Sequence, residues 1–585
     1  MPRIDRTAAA GLAVALVIGA ALTLPALGRA ASPDGAHAYL PLARRLLAEG
    51  PAFFSAPEAV MYAPLAYVWP ALLGGVEIAV RMANVALFLG TIALAWHAAT
   101  VAHSRAAGIA AALLVAISPE LRLYAADALT EPLFVFLVAA WAAAVAHLAR
   151  DGEPHPRPWF VLGAVALAAA PLSRPALTLF APLVAVACSA WAILAPQARR
   201  EIAWRLAALH GLAVLGPLAW IVHNQLVHGV PSVANGLGGA LWLGIDPMVD
   251  GFDPLYFGLD FDTGGIARDM SHLSTAGDRI LRGGALLQLH DLPLALIAEM
   301  MLRKLAAFLA VTGMEPTIQV APHRAWRLAV LVLGASALAW QRRGVLAWAL
   351  AAYAAYMTAA HLPLLYNHRY SIGALDLPLA LLAGIAVSEL AREPRRALVA
   401  GCLTTVVVAG GIAMLARAAP GSPHVEVAPG QVLMSQDIAA IEHIEARDAE
   451  LASPGRYNLS RGATLDVPVR FDSQFAGDIT ATILGLAIAP LPRTANCDWV
   501  RLRYRTSDQA AFDPWRTVRV PVYPDGVMRP IAVGTTAPMA MKSDGVMRIE
   551  FECDGPATLE TGKVTVVSPR RARIYHDRWM ALHPR

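Results

Sequence analysis

Runs of mostly apolar residues that suit bilayer-crossing helices recur along this chain, and no other feature limits its fold as strongly. About 20 such residues span the hydrocarbon core as a helix. The first run, Thr7 to Gly28, carries no charge, and ten more lie near residues 80–102, 106–123, 129–149, 159–172, 176–195, 205–223, 325–341, 345–361, 371–391 and 397–417. The expected architecture is therefore a polytopic α-helical membrane protein with about 11 transmembrane helices. A composition of 57% hydrophobic and 15% charged residues agrees with this and excludes an ordinary soluble domain. The formal charge of +4 is too small an excess to indicate nucleic acid.

Arginine distribution gives the sidedness. With the N-terminus in the cytoplasm, the inside turns "MPRIDR", "HSR", "RDGEPHPRP", "QARREIAWR", "QRRG" and "REPRR" hold thirteen arginines, against six outside. The positive-inside rule selects this orientation. An odd number of spans then puts the C-terminal region in the periplasm of a bacterial inner membrane. "ALGRAAS" resembles a signal-peptide cleavage site, but the apolar run before it exceeds the roughly 7 to 15 residues of a signal core, so a retained helix is expected.

Residues 1–420 form the expected transmembrane domain, with outer loops at 29–79 and 224–324. Within the second loop, "LPLALIAEMMLRKLAAFLAV" has Glu299, Arg303 and Lys304 at its middle, which suits an interfacial or re-entrant helix rather than a span. Residues 421–452 read as a helical linker, from "SQDIAAIEHIEARDAEL". Residues 453–585 alternate polar and apolar side chains in "DWVRLRYR", "WRTVRVPVY", "MRIEFEC" and "GKVTVVSP", with Gly and Pro turns between them, and read as a periplasmic β-sandwich. Of four cysteines, Cys497 and Cys553 fall in this region, where an oxidising compartment leaves either a disulfide or two thiols open. No cysteine spacing resembles a zinc site.

Charges at a membrane boundary are costly unless they face water, a partner or a substrate. Asp34, Arg122, Asp127, Glu131, Arg174 and Arg369 all come out at the same depth on the outer side. Asp34 heads "HAYLPLARRLLAEG", which can lie in the interface as a helix with Tyr39, Leu42, Leu46 and Leu47 on one face. "YAPLAYVWPALLGG" is apolar but broken by prolines, as in a short packed helix.

The order of "PDGAHAYLPLARRLLAEG", "YAPLAYVWPALLGG", "RMANVALFLGTIALAW", "AISPELRLYAADALTEPLFVFL", "APLSRPAL", "PLAWIVHNQLVHGVPSVANG" and "NHRYSIGALDLPLALLAG" over residues 1–420 resembles bacterial GT-C glycosyltransferases. These are relatives of the aminoarabinose-transferring and protein mannosyltransferase enzymes. In that family an Asp of the first periplasmic loop acts as base toward the acceptor or positions it, and Asp34 holds the matching place. Glu131 in "ALTE" matches a second acid in the next outer loop. Where the family often has Asp-Glu this chain has Asp34-Gly35, and where it often has Arg-Asn this chain has His223-Asn224.

The residue types suit that chemistry independently. A lipid-phosphate-linked sugar presents its scissile bond at the headgroup plane. Displacement there needs a carboxylate near the acceptor hydroxyl and cations to offset the departing phosphate. The catalytic candidates are Asp34 and Glu131, and the substrate-binding candidates are Arg122, Arg174, Arg369, Tyr370 and His37. His37 and His368 read as hydrogen-bonding groups rather than metal ligands, and no metal site is assigned. Asp246, Asp250, Asp253, Asp260 and Asp262 offer oxygen ligands for a divalent cation, against the alternative of a solvated loop.

The expected function is transfer of a sugar, with inversion, from a polyprenyl-phosphate donor to an envelope glycan, lipid or protein. The bilayer is the other partner, and nucleic acid is not one. A polymerase or ligase using lipid diphosphates, a transporter and a non-enzymatic scaffold are the competing readings. No internal repeat of the kind transporters show is present.

Overall fold

The computed structural model describes residues 6–29, 31–32, 34–150, 157–245, 271, 273–292, 294–310, 317–340, 344–393, 410, 431–470, 481–491, 497, 499–512, 517–522, 524–533 and 544–568. The chain divides into two compact units. One comprises residues 1–235, 305–362 and 367–418, and the other 236–304, 363–366 and 419–585. The described residues from 236 to 245 and from 271 to 304 fall in the second unit.

The first unit is helical. Arg6–Gly28, Glu77–Ala102, Glu131–Leu148, Pro175–Leu194, Arg199–His228 and His368–Arg392 are long and apolar enough to cross a membrane. Arg105–Ala116 and Pro119–Ala125 add a seventh span if the pair, bent by 63°, counts as one. The bend follows from sequence: Ser118 precedes Pro119, which disfavours helical backbone before it. Ser118 also accepts from Leu121 N as an N-cap. Arg157–Ser173 and Val345–His361 are apolar but only 17 residues long. The helix Thr317–Trp340 covers the run near 325–341 and carries Arg327 inside it. The run at 397–417 lies outside the described residues. Length and composition alone therefore give six or seven spans among the described residues, fewer than the eleven expected. Leu294–Ala310, expected at the interface, is a helix but is not among the candidate spans.

Two spans sit at the heart of this unit. Glu131–Leu148 and His368–Arg392 are 89% and 94% buried, against 17% for the N-terminal span. Small residues permit this enclosure. A Cβ on Gly384 would fall 2.7 Å from Ala107 O, so the two backbones are in direct contact there. Each of the two central spans begins with a charged residue of the site described below.

Among the described residues the C-terminal sheet has nine strands, paired antiparallel: β1 Gln431–Asp437, β2 Glu445–Ser453, β3 Arg456–Val469, β4 Ala481–Pro490, β5 Trp499–Thr506, β6 Thr517–Pro521, β7 Arg529–Val533, β8 Gly545–Glu552 and β9 Ala557–Ser568. Alternation is explicit in β8, where every second residue from Gly545 is buried. Two expectations are corrected. The helical linker is not a helix, because residues 445–453 pair with β3 and residues 431–437 with β9, joined by one short 3₁₀ turn. The two-sheet sandwich is one hydrogen-bonded sheet, in the order β6-β5-β8-β3-β9-β4-β7. β3 is long enough to pair with β9 through Arg456–Leu459 and with β8 through Thr464–Val469. Between those halves Gly462 has φ +76°, which glycine adopts without strain. The two arms nonetheless share one core that includes Leu465, Leu484, Val500, Ile549 and Val566. Cys497 and Cys553, beside the paired ends of β5 and β8, are disulfide-bonded within that core, 56 positions apart in sequence. Tyr504 is buried within it.

Candidate active site

Four residues from four separate elements meet in the helical unit. Asp34 opens a π-helical turn, Asp34–Tyr39, that runs into the helix Leu40–Glu49. Glu131 opens a central span. Arg174 precedes the short turn Pro175–Leu177, and Arg369 lies in the turn His368–Ser371. Arg369 Nε donates to Glu131 Oε1 at 2.7 Å, and its Nη1 to Asp34 Oδ2 at 2.6 Å. Arg174 Nη2 donates to the same Glu131 Oε1. Two carboxylates and two guanidiniums thus form one chain of contacts, joining positions 335 residues apart in sequence.

Burial grades this chain. The side chain of Glu131 is 1% exposed, Arg369 20% and Asp34 45%. Asp34 is therefore the end that meets solvent, and Glu131 the sealed end. Among the described residues, Glu131 Oε2 and Arg174 Nε are buried without a hydrogen-bond partner. Native structures hold few such atoms, and they concentrate where a ligand or water completes the site. Behind Glu131 a cavity of about 10 Å³, lined also by Tyr124, Thr91 and Ile372, has room for about one water.

The surrounding loops are held by hydrogen bonds. Asp127 Oδ1 accepts from Ser32 N at 3.0 Å, Ser32 Oγ at 3.2 Å and Ala128 N at 2.7 Å, which ties the chain before Asp34 to the loop before Glu131. Burial raises the Asp127 carboxyl above its ordinary value, although these donors pull the other way. Asn84 donates to Asp127 O and Leu129 O, and Arg81 Nε to Ala126 O. Gly35 fits against Ala128, since a Cβ there would lie 3.0 Å from both Ala128 Cβ and Ala128 O. The second carboxylate of the family pattern has no room at that position. Tyr39 is buried beside the cluster, and burial pushes its phenol well up, with Asp34 adding to the shift.

Not every expected residue joins. Arg122 donates instead to main-chain carbonyls, Ser118 O at 3.1 Å and Leu22 O at 3.4 Å. His37 is exposed on the π-helical turn. Tyr370 places its ring 5.4 Å from the Arg174 guanidinium, so it braces a cation. His368 Nε2 lies 3.2 Å from Tyr124 OH. The five loop carboxylates, Asp246 to Asp262, lie outside the described residues. Among the described residues no group of three or more His, Cys, Asp or Glu side chains is arranged to hold a metal ion.

A second ionic cluster escaped the sequence reading. Arg327 Nε donates to Asp376 Oδ1 at 2.6 Å, its Nη1 to Phe308 O at 3.0 Å and its Nη2 to Ser371 Oγ at 3.3 Å. His323 and Ser118 reach Asp376 Oδ2 at 3.1 and 3.3 Å. Arg327 and Asp376 are fully buried. The signal was present in "GALDLPLALL", because an acid inside an apolar span demands a partner.

No family model matches the chain, and no curated protein matches it. Among solved structures it is similar to the oligosaccharyltransferase AglB of Archaeoglobus fulgidus, in complex with an inhibitory peptide and a dolichol-phosphate, at 14% identity and a TM-score of 0.39 over 72% of this chain and 56% of that one. ArnT from Cupriavidus metallidurans, bound to undecaprenyl phosphate, matches at 18% identity and 0.30 over 66% and 78%. The arabinosyltransferase EmbB of Mycobacterium smegmatis matches at 13% and 0.24 over 97% and 65%. These structural neighbours are glycosyltransferases of the GT-C class. The chain spans just over half the length of the archaeal chains it matches.

Proposed function

We propose that this chain is an integral membrane glycosyltransferase, and that the Asp34, Glu131, Arg174 and Arg369 cluster is its reaction centre. It takes a sugar from a polyprenyl phosphate at the periplasmic face and places it on an envelope glycan, lipid or protein. The carrying observation is that one solvent-facing carboxylate and two guanidiniums converge at the end of two enclosed spans.

In this reading the acceptor oxygen attacks the anomeric carbon from the face opposite the phosphate. Its proton passes to the Asp34 carboxylate as the new C–O bond forms. The anomeric C–O bond to phosphate breaks, its electron pair leaves on the phosphate oxygen, and Arg369 and Arg174 offset that charge. The anomeric centre inverts. Glu131 holds both guanidiniums through one oxygen and is sealed from solvent, which favours a positioning role over the catalytic one expected from sequence.

The test is reconstitution of the purified protein in liposomes with radiolabelled polyprenyl-phosphate sugars, comparing wild type with Asp34→Asn and Arg369→Lys. Transfer by wild type, with losses in both variants, supports the reading. Equal transfer by wild type and Asp34→Asn removes Asp34 from the mechanism, and no turnover with any such donor returns the chain to the transporter and scaffold readings.

A further inference from the structure

We infer that Asp34 and the donor phosphate compete for the same edge of Arg369, so that binding of the lipid phosphate is the event that unmasks the base. This rests on the reading of the site given under Proposed function.

The three ion contacts of the cluster are unequal. Glu131 is sealed and takes both Arg369 Nε and Arg174 Nη2 on one oxygen, so those two contacts are fixed by burial. The third, Arg369 Nη1 to Asp34 Oδ2, is single and its acid is 45% exposed. Of the three contacts this one has the most exposed acid, so an incoming anion can displace it most readily. A partly exposed, single-bonded pair is worth little in water. A phosphate group offers several acceptor oxygens and pairs with guanidinium more strongly than one carboxylate oxygen does.

The charges favour an exchange over an addition. Two carboxylates balance two guanidiniums, so the resting cluster is neutral and offers an anion no net attraction. If phosphate takes the Nη1 edge, Arg369 keeps a counter-charge and Asp34 turns to water, where its Oδ2 is open to an acceptor hydroxyl. While Asp34 stays on Arg369, that oxygen already accepts a guanidinium proton and the phosphate edge is covered. In the donor-free protein Asp34 Oδ2 and the Nη1 edge of Arg369 thus occupy each other. The neighbouring loop suits such an exchange: Ser32 is anchored on Asp127, two residues before Asp34, so the backbone keeps its place while the side chain turns.

If the pair were merely structural, removing Asp34 would loosen Arg369 and weaken phosphate binding. Competition requires the opposite sign. The experiment titrates undecaprenyl phosphate into the full-length protein in nanodiscs, read by intrinsic tryptophan fluorescence, for wild type, Asp34→Asn, Asp34→Ala and Arg369→Lys. Both Asp34 variants are expected to bind about three- to ten-fold tighter than wild type, and Arg369→Lys at least about ten-fold weaker. Asp34 variants that bind equally or more weakly, while wild-type binding still depends on Arg369, overturn the competition and leave the proposed function standing. Absence of binding by wild type and both Asp34 variants overturns both.

Discussion

The helical unit contains two guanidinium–carboxylate clusters built from the same groups and held in different surroundings. In one, Arg327 and Asp376 are fully buried, and all three kinds of guanidinium nitrogen have partners. In the other, exposure rises from 1% at Glu131 to 45% at Asp34, and two buried polar atoms, Glu131 Oε2 and Arg174 Nε, have no partner among the described residues. A sealed network whose guanidinium and carboxylate are both bonded has little left to offer a ligand, although among the described residues its His323 Nδ1 is likewise buried without a hydrogen-bond partner. A graded and incomplete one has bonding capacity in reserve. The two are linked through one short turn, because Ser371, two residues from Arg369, accepts from Arg327 Nη2 and donates to His368 O. The sealed cluster thus sets where the open one can be.

The largest separation between them should appear with Asp34→Asn. Loss of a general base lowers transfer by about 10²- to 10⁴-fold. Loss of one partly exposed ion pair should cost less than about 1 kcal/mol of stability. Transfer assays beside thermal melting in detergent check both numbers. A fall in melting that tracks the fall in activity would make the open cluster structural and erase the distinction.

Asp376→Asn should do the reverse. It leaves Arg327 charged, buried and short of its counter-ion, which costs about 3–5 kcal/mol and should appear first as poor folding and a lowered melting transition. A double replacement, Arg327→Met with Asp376→Leu, should recover most of that loss, because an apolar pair needs no compensation. If the double variant melts as low as the single one, the network contributes more than charge pairing.

How far these clusters were legible depended on which force decided each element. Spans such as Glu77–Ala102 and Glu131–Leu148 could be read directly, because a bilayer leaves an apolar run few alternatives. β8 could be read too, since its alternation is the burial pattern itself. That Asp34, Glu131 and Arg369 share one boundary was expected from topology, which leaves charges that cannot enter lipid at the ends of spans; the Asp34–Arg369 pair itself is a contact of the structure. By contrast, "EARDAELAS" carries helix-forming residues and became β2, because the edge of β3 offered a ladder that no local preference reveals. The sequence places Arg122 and Arg369 at the same expected depth, but the Arg122 guanidinium is spent on carbonyls, and an expected depth cannot distinguish the two. Asp376 was visible as an acid in an apolar span, but its partner lies 49 positions away on a helix whose contacts sequence does not give.

Gly35→Ala asks whether the open cluster depends on shape as well as charge. The added methyl meets Ala128 Cβ and O at 3.0 Å, so the π-helical turn bearing Asp34 must shift by a few tenths of an ångström. Small displacements of a reacting group reduce rate more than stability. Transfer should fall roughly ten-fold while melting drops by about 1 kcal/mol or less. Gly35→Glu, which would restore the two-acid pattern, should be worse than alanine rather than better, and improved activity in that variant would show that the turn has slack.

The smallest effect should come from Asp127→Asn, and it is read through pH. Asp127 resembles neither cluster, because Oδ1 is held by two main-chain N–H groups and a hydroxyl, with no guanidinium among those donors. Its carboxyl is raised by burial, so the folded protein binds that proton more tightly than the unfolded chain does. Its contribution to stability is full below the unfolded carboxyl value of about 3.9, and is lost as pH rises through the higher folded value. Asparagine keeps the Oδ1 acceptor without the charge. Wild type and variant should melt nearly alike near pH 4, and the variant should gain on wild type as pH rises toward 7. A variant that loses ground as pH rises would mean that the ionised carboxylate is stabilised after all, and Asp127 would then belong with the ion-paired acids of the open cluster.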